Sequence, residues 1–226
     1  MVTNKTGETK KIIRMSESYS SGLVSQSFWF LEFKKYLKLL KDGEAKKQQN
    51  PEYDIENEIK KIIINDNFFG APNENRARRM FGYISNRANC LYKKETDLFF
   101  SSDLQTQKLI NLVAILRGDR LFFEFINEVY REKHILGAET IELSDVNIFF
   151  GDKEVQSDFI SELSETTKKR LRSTYLNFLT DCGLLTVTDT KGKTRKITPP
   201  LLDKELEHFL RENGESSIIK AITGAY

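Results

Sequence analysis

The strongest structural pattern in the chain lies in residues 164–200, SETTKKRLRSTYLNFLTDCGLLTVTDTKGKTRKITPP. Ser164 is a favourable N-cap, and the apolar residues after it recur at steps of three and four, which predicts an amphipathic helix. Gly183 favours the end of that helix because glycine readily adopts the left-handed conformation. Two segments rich in β-branched residues flank a turn at 189–193, which predicts a β-hairpin that ends at Pro199. A basic helix followed by a basic-tipped hairpin is typical of a winged helix-turn-helix.

Positive charge is concentrated in this segment. The whole chain has 35 lysines and arginines against 33 acidic residues, a formal net charge of +2, so affinity for nucleic acid has to come from local clustering. Between Ser164 and Lys196 the local charge is +5. The predicted DNA contacts are the polar side chains of this helix and hairpin: Lys168, Lys169, Arg172, Ser173, Asn177, Lys191, Lys193, Arg195 and Lys196.

A second basic helix is predicted from about Asn73 to Lys93. No acidic residue lies between Arg76 and Lys94, and the apolar positions leave a basic, amide-rich face outward. A solvated helix face is the plainer interpretation of such charges. The alternative is a second DNA contact surface, formed by Arg78, Arg79, Asn86 and Arg87, with Asn89 as a further side chain that could touch base edges.

The rest of the chain is also patterned for helices. Residues 119–136 are apolar around most of the helix and predict a central helix, with Asp119 as its cap and Arg120 spaced to pair with Glu124; a charged loop is predicted at 42–50. We expect a mainly α fold, with a multi-helical N-terminal domain and a C-terminal winged helix-turn-helix that contains one small β-hairpin. The predicted ranges are a disordered tail over 1–18, a helical domain over 19–137, the winged helix-turn-helix over 138–200 and a C-terminal helical extension over 201–226.

Catalytic and metal-binding motifs are absent from the sequence. His134 and His208 are the only histidines, and neither has a partner at metal-ligand spacing. There is no Walker loop, dinucleotide-binding glycine turn or nucleophile elbow. Glu124, Glu128 and Glu132 form a row at four-residue spacing, for which a solvated ion-pair face is a better interpretation than a metal site. We expect no enzymatic activity, no cofactor and no metal.

The cysteines and the hydropathy indicate a cytoplasmic protein. Cys90 and Cys182 are far apart and lack CxxC spacing, which favours core positions in a reducing compartment. No apolar run approaches the roughly 20 residues that span a bilayer. The N-terminus lacks the apolar core of a signal peptide. We therefore expect no membrane partner.

Several short motifs follow one another along the chain: YSSGL at 19–23, DRLFFEF at 119–125, VYREK at 129–133, the basic helix from Thr166, and ITPP at 197–200. With these motifs in this order, the chain resembles the BrxA proteins of bacteriophage-exclusion (BREX) defence systems over nearly its whole length. The resemblance implies a small, non-enzymatic helical protein that binds DNA and works beside a methyltransferase and other defence proteins. The family has also been likened to RNA-binding antitermination factors.

Three functions follow as hypotheses. The first is a DNA-binding accessory of a phage-defence system, which binds duplex DNA with low sequence specificity through the basic helix and the wing. The second is a protein-interaction adaptor, which docks to a methyltransferase or another component through Leu176, expected to be exposed, and the apolar tail of Ile218, Ile219 and Ile222. The third is an RNA-binding antitermination-like factor, which the sequence favours less because no exposed aromatic stacking platform is identified in it.

Overall fold

The chain is mainly helical, as predicted, in a computed structural model that describes residues 2–3, 9–10, 13, 15–188 and 194–224. Half of the predicted disordered tail and all of the predicted hairpin turn therefore lie outside the described residues. Contacts divide the chain into an inserted unit (Trp29–Leu91) and a main unit (Met1–Phe28 and Tyr92–Tyr226). The sequence predicts domain boundaries at residues 137 and 200, whereas the boundaries between these two units lie at residues 28/29 and 91/92.

The inserted unit is built from three helices that pack on one another: α1 (Phe30–Gln49), α2 (Ile55–Ile64) and α3 (Glu74–Asn89). The loop predicted at 42–50 is wrong, because α1 continues through this segment to Gln49. Gly43 lies inside α1, where a Cβ atom would come within 2.7 Å of the Ile55 Cγ2 atom. This glycine marks a close approach of α2 to α1 and not a turn.

The main unit contains the remaining elements. No helix in the described part of the chain is long and apolar enough to cross a membrane. In chain order the elements are β1 (Val2–Thr3), β2 (Thr9–Lys10), the 3-10 turn Gly22–Ser25, α4 (Lys93–Ser101), α5 (Leu104–Gly118), α6 (Arg120–Phe125), the π-helical turn Ile126–Arg131, α7 (Glu132–Ile135), β3 (Thr140–Glu142), α8 (Leu143–Gln156), α9 (Asp158–Ser161), α10 (Glu165–Asp181), β4 (Leu185–Val187), β5 (Thr194–Ile197), α11 (Lys204–Glu212) and α12 (Ser216–Thr223).

Strands β3, β4 and β5 form an antiparallel sheet in the order β3-β5-β4. The sequence predicts the β4–β5 hairpin but not β3, which pairs Thr140 with Lys196. Strand β3 is only three residues long, too short for the alternation that indicates a strand. Strand β3 precedes α8, and β4 and β5 follow α10, so the sheet joins the two ends of the segment that contains α8, α9 and α10.

The predicted central helix is the continuous run α6–π turn–α7. Its aromatic side chains pack against α10, with the Phe122 ring centroid 4.8 Å from that of Tyr175 and 5.7 Å from that of Phe178. All three side chains are fully buried. Burial of one such ring stabilises a fold by about 1.5–3 kcal/mol, so this contact fixes the position of α10.

A buried ion cluster joins α4, α5 and the start of α12. Arg117 Nη1 and Nη2 donate to Glu95 at 2.7 Å, and Nε and Nη2 donate to Glu215 at 2.8 and 2.7 Å. The guanidinium also lies 5.1 Å from the centroid of the Tyr92 ring. Burial alone would lower the pKa of Arg117, but the hydrogen bonds to Glu95 and Glu215 raise it above its ordinary value.

An N-terminal strap, residues 16–23, docks onto α5 and α6. Ser20 Oγ donates to Asp119 Oδ2 at 3.0 Å, and Tyr19 Oη donates to Glu124 Oε2 at 2.9 Å. Asp119 caps α6, as predicted, and Arg120 pairs with Glu124 at 2.7 Å, as predicted. The YSSGL and DRLFFEF motifs are therefore in direct contact. The first strap residues fall within the predicted tail, yet the backbone N–H of Ser16 donates to Arg117 O at 2.9 Å.

Replacing Arg117 by Met will destabilise the main unit by about 3–5 kcal/mol, because two buried carboxylates lose their cation. The urea midpoint, followed by circular dichroism, measures the change. Adding Glu95→Gln and Glu215→Gln to Arg117→Met will recover part of the loss, since the uncompensated charges are then gone. The matched control is Arg211→Met, whose exposed pair with Glu207 is worth less than about 1 kcal/mol. Equal midpoints for Arg117→Met and Arg211→Met would contradict the role given to this cluster.

Candidate nucleic-acid interface

Helix α10 begins and ends where the sequence predicts. Ser164 Oγ accepts from the backbone N–H of Thr167 at 3.2 Å, and Gly183 adopts a left-handed φ of 86° just after the helix. Gln105 Nε2 on α5 donates to Cys182 O at 2.9 Å and holds this end in place. The predicted apolar stripe is buried throughout: Leu171, Tyr175, Phe178, Leu179 and Cys182.

The outward side of α10 carries the exposed part of the predicted site. We call it the α10 basic face; its exposed residues are Thr166, Lys169, Arg170, Ser173 and Asn177. An open groove of about 600 Å³ runs along it, bounded on the other side by Val24 of the 3-10 turn. Arg170 is not among the predicted contacts although it is exposed. A helical wheel places it beside Ser173 and Asn177, and that signal was available in the sequence.

Arg172 lies at the border between α10 and α8. Its guanidinium carbon is 5.3 Å from the centroid of the Phe150 ring, a cation–π contact. Its Nε atom is buried and has no hydrogen-bond partner among the described residues. The side chain is half-buried, so only part of the guanidinium is accessible to a ligand.

Lys168 is not available for phosphate contact, which corrects the prediction. Its side chain is buried, with Nζ 3.1 Å from Glu154 Oε2 on α8 and 3.3 Å from Glu165 Oε1. Residue 168 precedes Leu171 by three positions and therefore shares the inner stripe of the helix. Burial would lower the pKa of Lys168, but the hydrogen bonds to Glu154 and Glu165 raise it.

Arg195 is also turned inward, a second correction. It is buried, and it donates from Nη1 to Thr180 Oγ1 at 2.8 Å and from Nη2 to Asn177 Oδ1 at 2.9 Å. Residues alternate between the two faces of a strand, so Arg195 binds α10 while Lys196 is exposed. Lys191 and Lys193 lie outside the described residues.

The second predicted surface, on α3, is smaller than expected. Arg79, Asn86 and Asn89 are exposed. Arg78 is exposed as well but forms an ion pair with Glu74, one helical turn away. This ion pair neutralises part of the positive charge on the exposed side of α3, so the surface is less basic than predicted.

Arg87 is buried, a third correction. Its guanidinium carbon is 6.0 Å from the centroid of the Phe33 ring on α1. The residue follows Met80 and Ile84 at helical spacing, so it belongs to the inner stripe that packs on α1. Burial lowers the pKa of Arg87 to about 9. Its side chain contributes to packing in the inserted unit.

An aromatic pair in the inserted unit was missed in the sequence. The Trp29 and Tyr83 rings stack with centroids 6.2 Å apart, and the Arg76 guanidinium lies 5.1 Å from the Trp29 ring. All three side chains are half-buried. Trp29 has a φ of 44°, which is unusual for a bulky residue. Residues so far apart in sequence leave no local pattern that would reveal the pair.

The carboxylate row on the central helix is an ion-pair network, as predicted, but its main cation is Lys153 on α8. Lys153 Nζ lies 2.7 Å from both Glu124 Oε2 and Glu128 Oε1, and its side chain is buried. Glu132 pairs with Arg131 at 2.7 Å. Among the described residues no group of His, Cys, Asp and Glu side chains could hold a metal ion.

The surfaces predicted for a protein adaptor are packed inside the fold. Leu176 is buried because α10 also packs against the 3-10 turn, a contact that the pattern of one helix does not show. Ile218, Ile219 and Ile222 are buried as well, since α12 packs against the π-helical turn. Neither surface is available to a partner in this conformation.

Two comparisons with known proteins indicate the same family, and a third shows the same fold. A family model described as BrxA matches residues 17–214. A "BREX protein BrxA" of Bacillus cereus (strain H3081.97) is 31% identical over 206 residues, which is 91% of this chain and 96% of that protein. The crystal structure of an uncharacterized protein from Magnetospirillum magneticum matches with a TM-score of 0.72 and 16% identity, over 92% of this chain and 99% of that one. At that identity the match shows the fold alone.

Replacing Arg195 by Met will lower the free energy of unfolding by about 1–3 kcal/mol, because Asn177 and Thr180 lose a buried, charged hydrogen-bond donor. The matched control is its neighbour: Lys196→Met will change that free energy by no more than about 0.5 kcal/mol, since the side chain is exposed. Urea titration of both variants measures the difference. Similar losses for the two would show that Arg195 does not anchor β5 to α10.

Proposed function

The chain belongs to the BrxA family of bacteriophage-exclusion (BREX) defence systems, and from that premise we propose that it is a non-enzymatic accessory protein that binds duplex DNA with low sequence specificity. The observation that carries the proposal is the α10 basic face. Its exposed cations lie on a helix whose other side packs into a buried aromatic core. Other components of the same defence system would be its protein partners.

The topology supports a winged helix-turn-helix. In the order β3-α8-α9-α10-β4-β5, α8 and α10 take the places of the two helices of the helix-turn-helix motif, and the β4–β5 hairpin takes the place of the wing. In that arrangement the second helix enters the major groove of DNA. Here that helix is α10, and its outward side is the one that carries Lys169 and Arg170.

Phosphate contacts would come from about five side chains. Lys169, Arg170 and Lys196 are exposed, and the sequence places Lys191 and Lys193 at the tip of the hairpin. Neutralising about five phosphates gives a slope of log affinity against log salt near −4.5. Lys168 and Arg195 would act indirectly, because they hold α10 and β5 in position.

Asn177 is the side chain best placed to contact a base edge. Arg195 donates to its Oδ1 atom, which directs that oxygen toward β5 and leaves the amide nitrogen for a ligand. A donor in the major groove meets acceptors such as guanine N7 and O6. A single amide donor on Asn177, beside Ser173, would give only a weak preference among DNA sequences. This agrees with the low sequence specificity that we propose.

Changing Lys169, Arg170 and Lys196 together to Ala will weaken duplex binding and bring the salt slope from near −4.5 to about −2, because three phosphate contacts are lost. Fluorescence anisotropy with labelled duplex DNA at several salt concentrations measures both quantities. A separate Lys191→Ala/Lys193→Ala variant tests the tip of the hairpin in the same way.

The matched control changes three exposed cations of α11 and α12, Lys204, Arg211 and Lys220, to Ala, and we expect an unchanged slope. The two triple variants carry the same net charge, so only the position of the charge differs. Equal binding by both variants, or no duplex binding by the wild type, would refute the proposal. Tighter binding of single-stranded RNA than of duplex would instead favour the antitermination-like alternative.

A further inference from the structure

We propose that the outer side of α8 and α9 is a docking surface for a basic amphipathic helix of a partner protein. This surface is separate from the α10 basic face, and its use does not depend on DNA binding. It also replaces the adaptor surfaces that the structure shows to be buried. Its chemistry is apolar in the middle and acidic around the apolar residues.

The apolar part is a stripe along one side of α8. Ile148 is 64% exposed and Val155 is 90% exposed, and a spacing of seven residues places them on the same side, two turns apart. Between them lies Gly151, around which a Cβ atom would meet nothing within 4 Å. Phe159, four residues after Val155 on α9, is 43% exposed. Ile148 and Val155 thus form an apolar strip on one side of α8, and contiguous exposed apolar surface marks interaction sites.

The exposed charged residues that α8 and α9 themselves carry are all acidic. Between His134 and Lys168 the only basic residue in the sequence is Lys153, and its side chain is buried between Glu124 and Glu128. No exposed cation therefore belongs to α8 or α9. The exposed acidic residues of this segment include Glu142, Asp152, Asp158 and Glu162.

Charge complementarity identifies the occupant. An amphipathic helix that docks by its apolar side presents its other residues to the edges of the site, and lysine or arginine at those positions would pair with the acidic residues. A nucleic acid would be repelled by them. A second copy of this chain, docked by the same surface in a symmetric dimer, would oppose like charges.

The test uses the full chain and three labelled 18-residue peptides in fluorescence anisotropy. The first has Leu and Ile at helical spacing with Lys elsewhere; the second has Glu in place of Lys; the third has the composition of the first in scrambled order. We expect binding of the first peptide alone, weakened at least ten-fold by Ile148→Asp/Val155→Asp. The control variant Leu201→Asp changes a 94% exposed leucine elsewhere and should leave binding unchanged.

Three results would overturn this inference: equal binding of the scrambled peptide, which would show charge attraction alone; no binding of the first peptide; or no effect of Ile148→Asp/Val155→Asp. Sedimentation that reveals a dimer lost in that variant would assign the surface to a second copy of the chain and also overturn it. The replaced side chains are exposed, so the variant should unfold at the wild-type midpoint. Its affinity for duplex DNA should stay within two-fold of wild type, which separates this test from that of DNA binding.

Discussion

The buried charge of Arg117 is the constraint on which the main unit depends. Burying a guanidinium costs free energy unless charged or hydrogen-bonding partners replace its lost hydration, and here Glu95 and Glu215 bind it from two sides. Glu95 also accepts from the backbone N–H of Tyr92 at 2.9 Å. Three segments separated in sequence are thereby held at one point. The carbonyl of Arg117 accepts from Ser16, so the same residue also positions the start of the N-terminal strap.

A series of contacts connects Arg117 to α10. The chain turns from Arg117 into the capped helix α6, whose Phe122 packs on Tyr175 and Phe178 of α10. Arg195 then fastens β5 to the outer part of α10 through Asn177 and Thr180. The exposed cations are attached to a rigid scaffold, which a phosphate-binding surface needs if it is to keep a defined register on a duplex.

Local sequence patterns predicted α10, the β4–β5 hairpin and several helix caps, but they missed β3, the continuation of α1 through residues 42–49 and the partners of long side chains. Ser164, Gly183 and Asp119 act through neighbours within a few residues, and all three behave as predicted. Lys168, Arg195 and Arg87 were assigned to exposed faces, whereas each reaches a carboxylate, an amide or a ring on another element. Leu176 was misplaced for a related reason, since the 3-10 turn that covers it lies about 150 residues earlier. A helical wheel describes one helix, and burial depends on what packs against it.

The buried basic residues that were removed from the candidate interface also explain why that interface stays positive. Lys168 pairs with Glu154 and Glu165, so the charge of these two carboxylates is compensated by a buried cation and not by the exposed cations of the basic face. Near the end of the helix, burial raises the pKa of Asp181, while the charges of Lys108 and Arg195 lower it. The local charge of +5 taken from the sequence treats all the charged residues of this segment as surface charges. Once Lys168 and Arg195 are set aside, Lys169, Arg170 and Lys196 are the exposed cations of this segment among the described residues, and the positive charge of the interface depends on them.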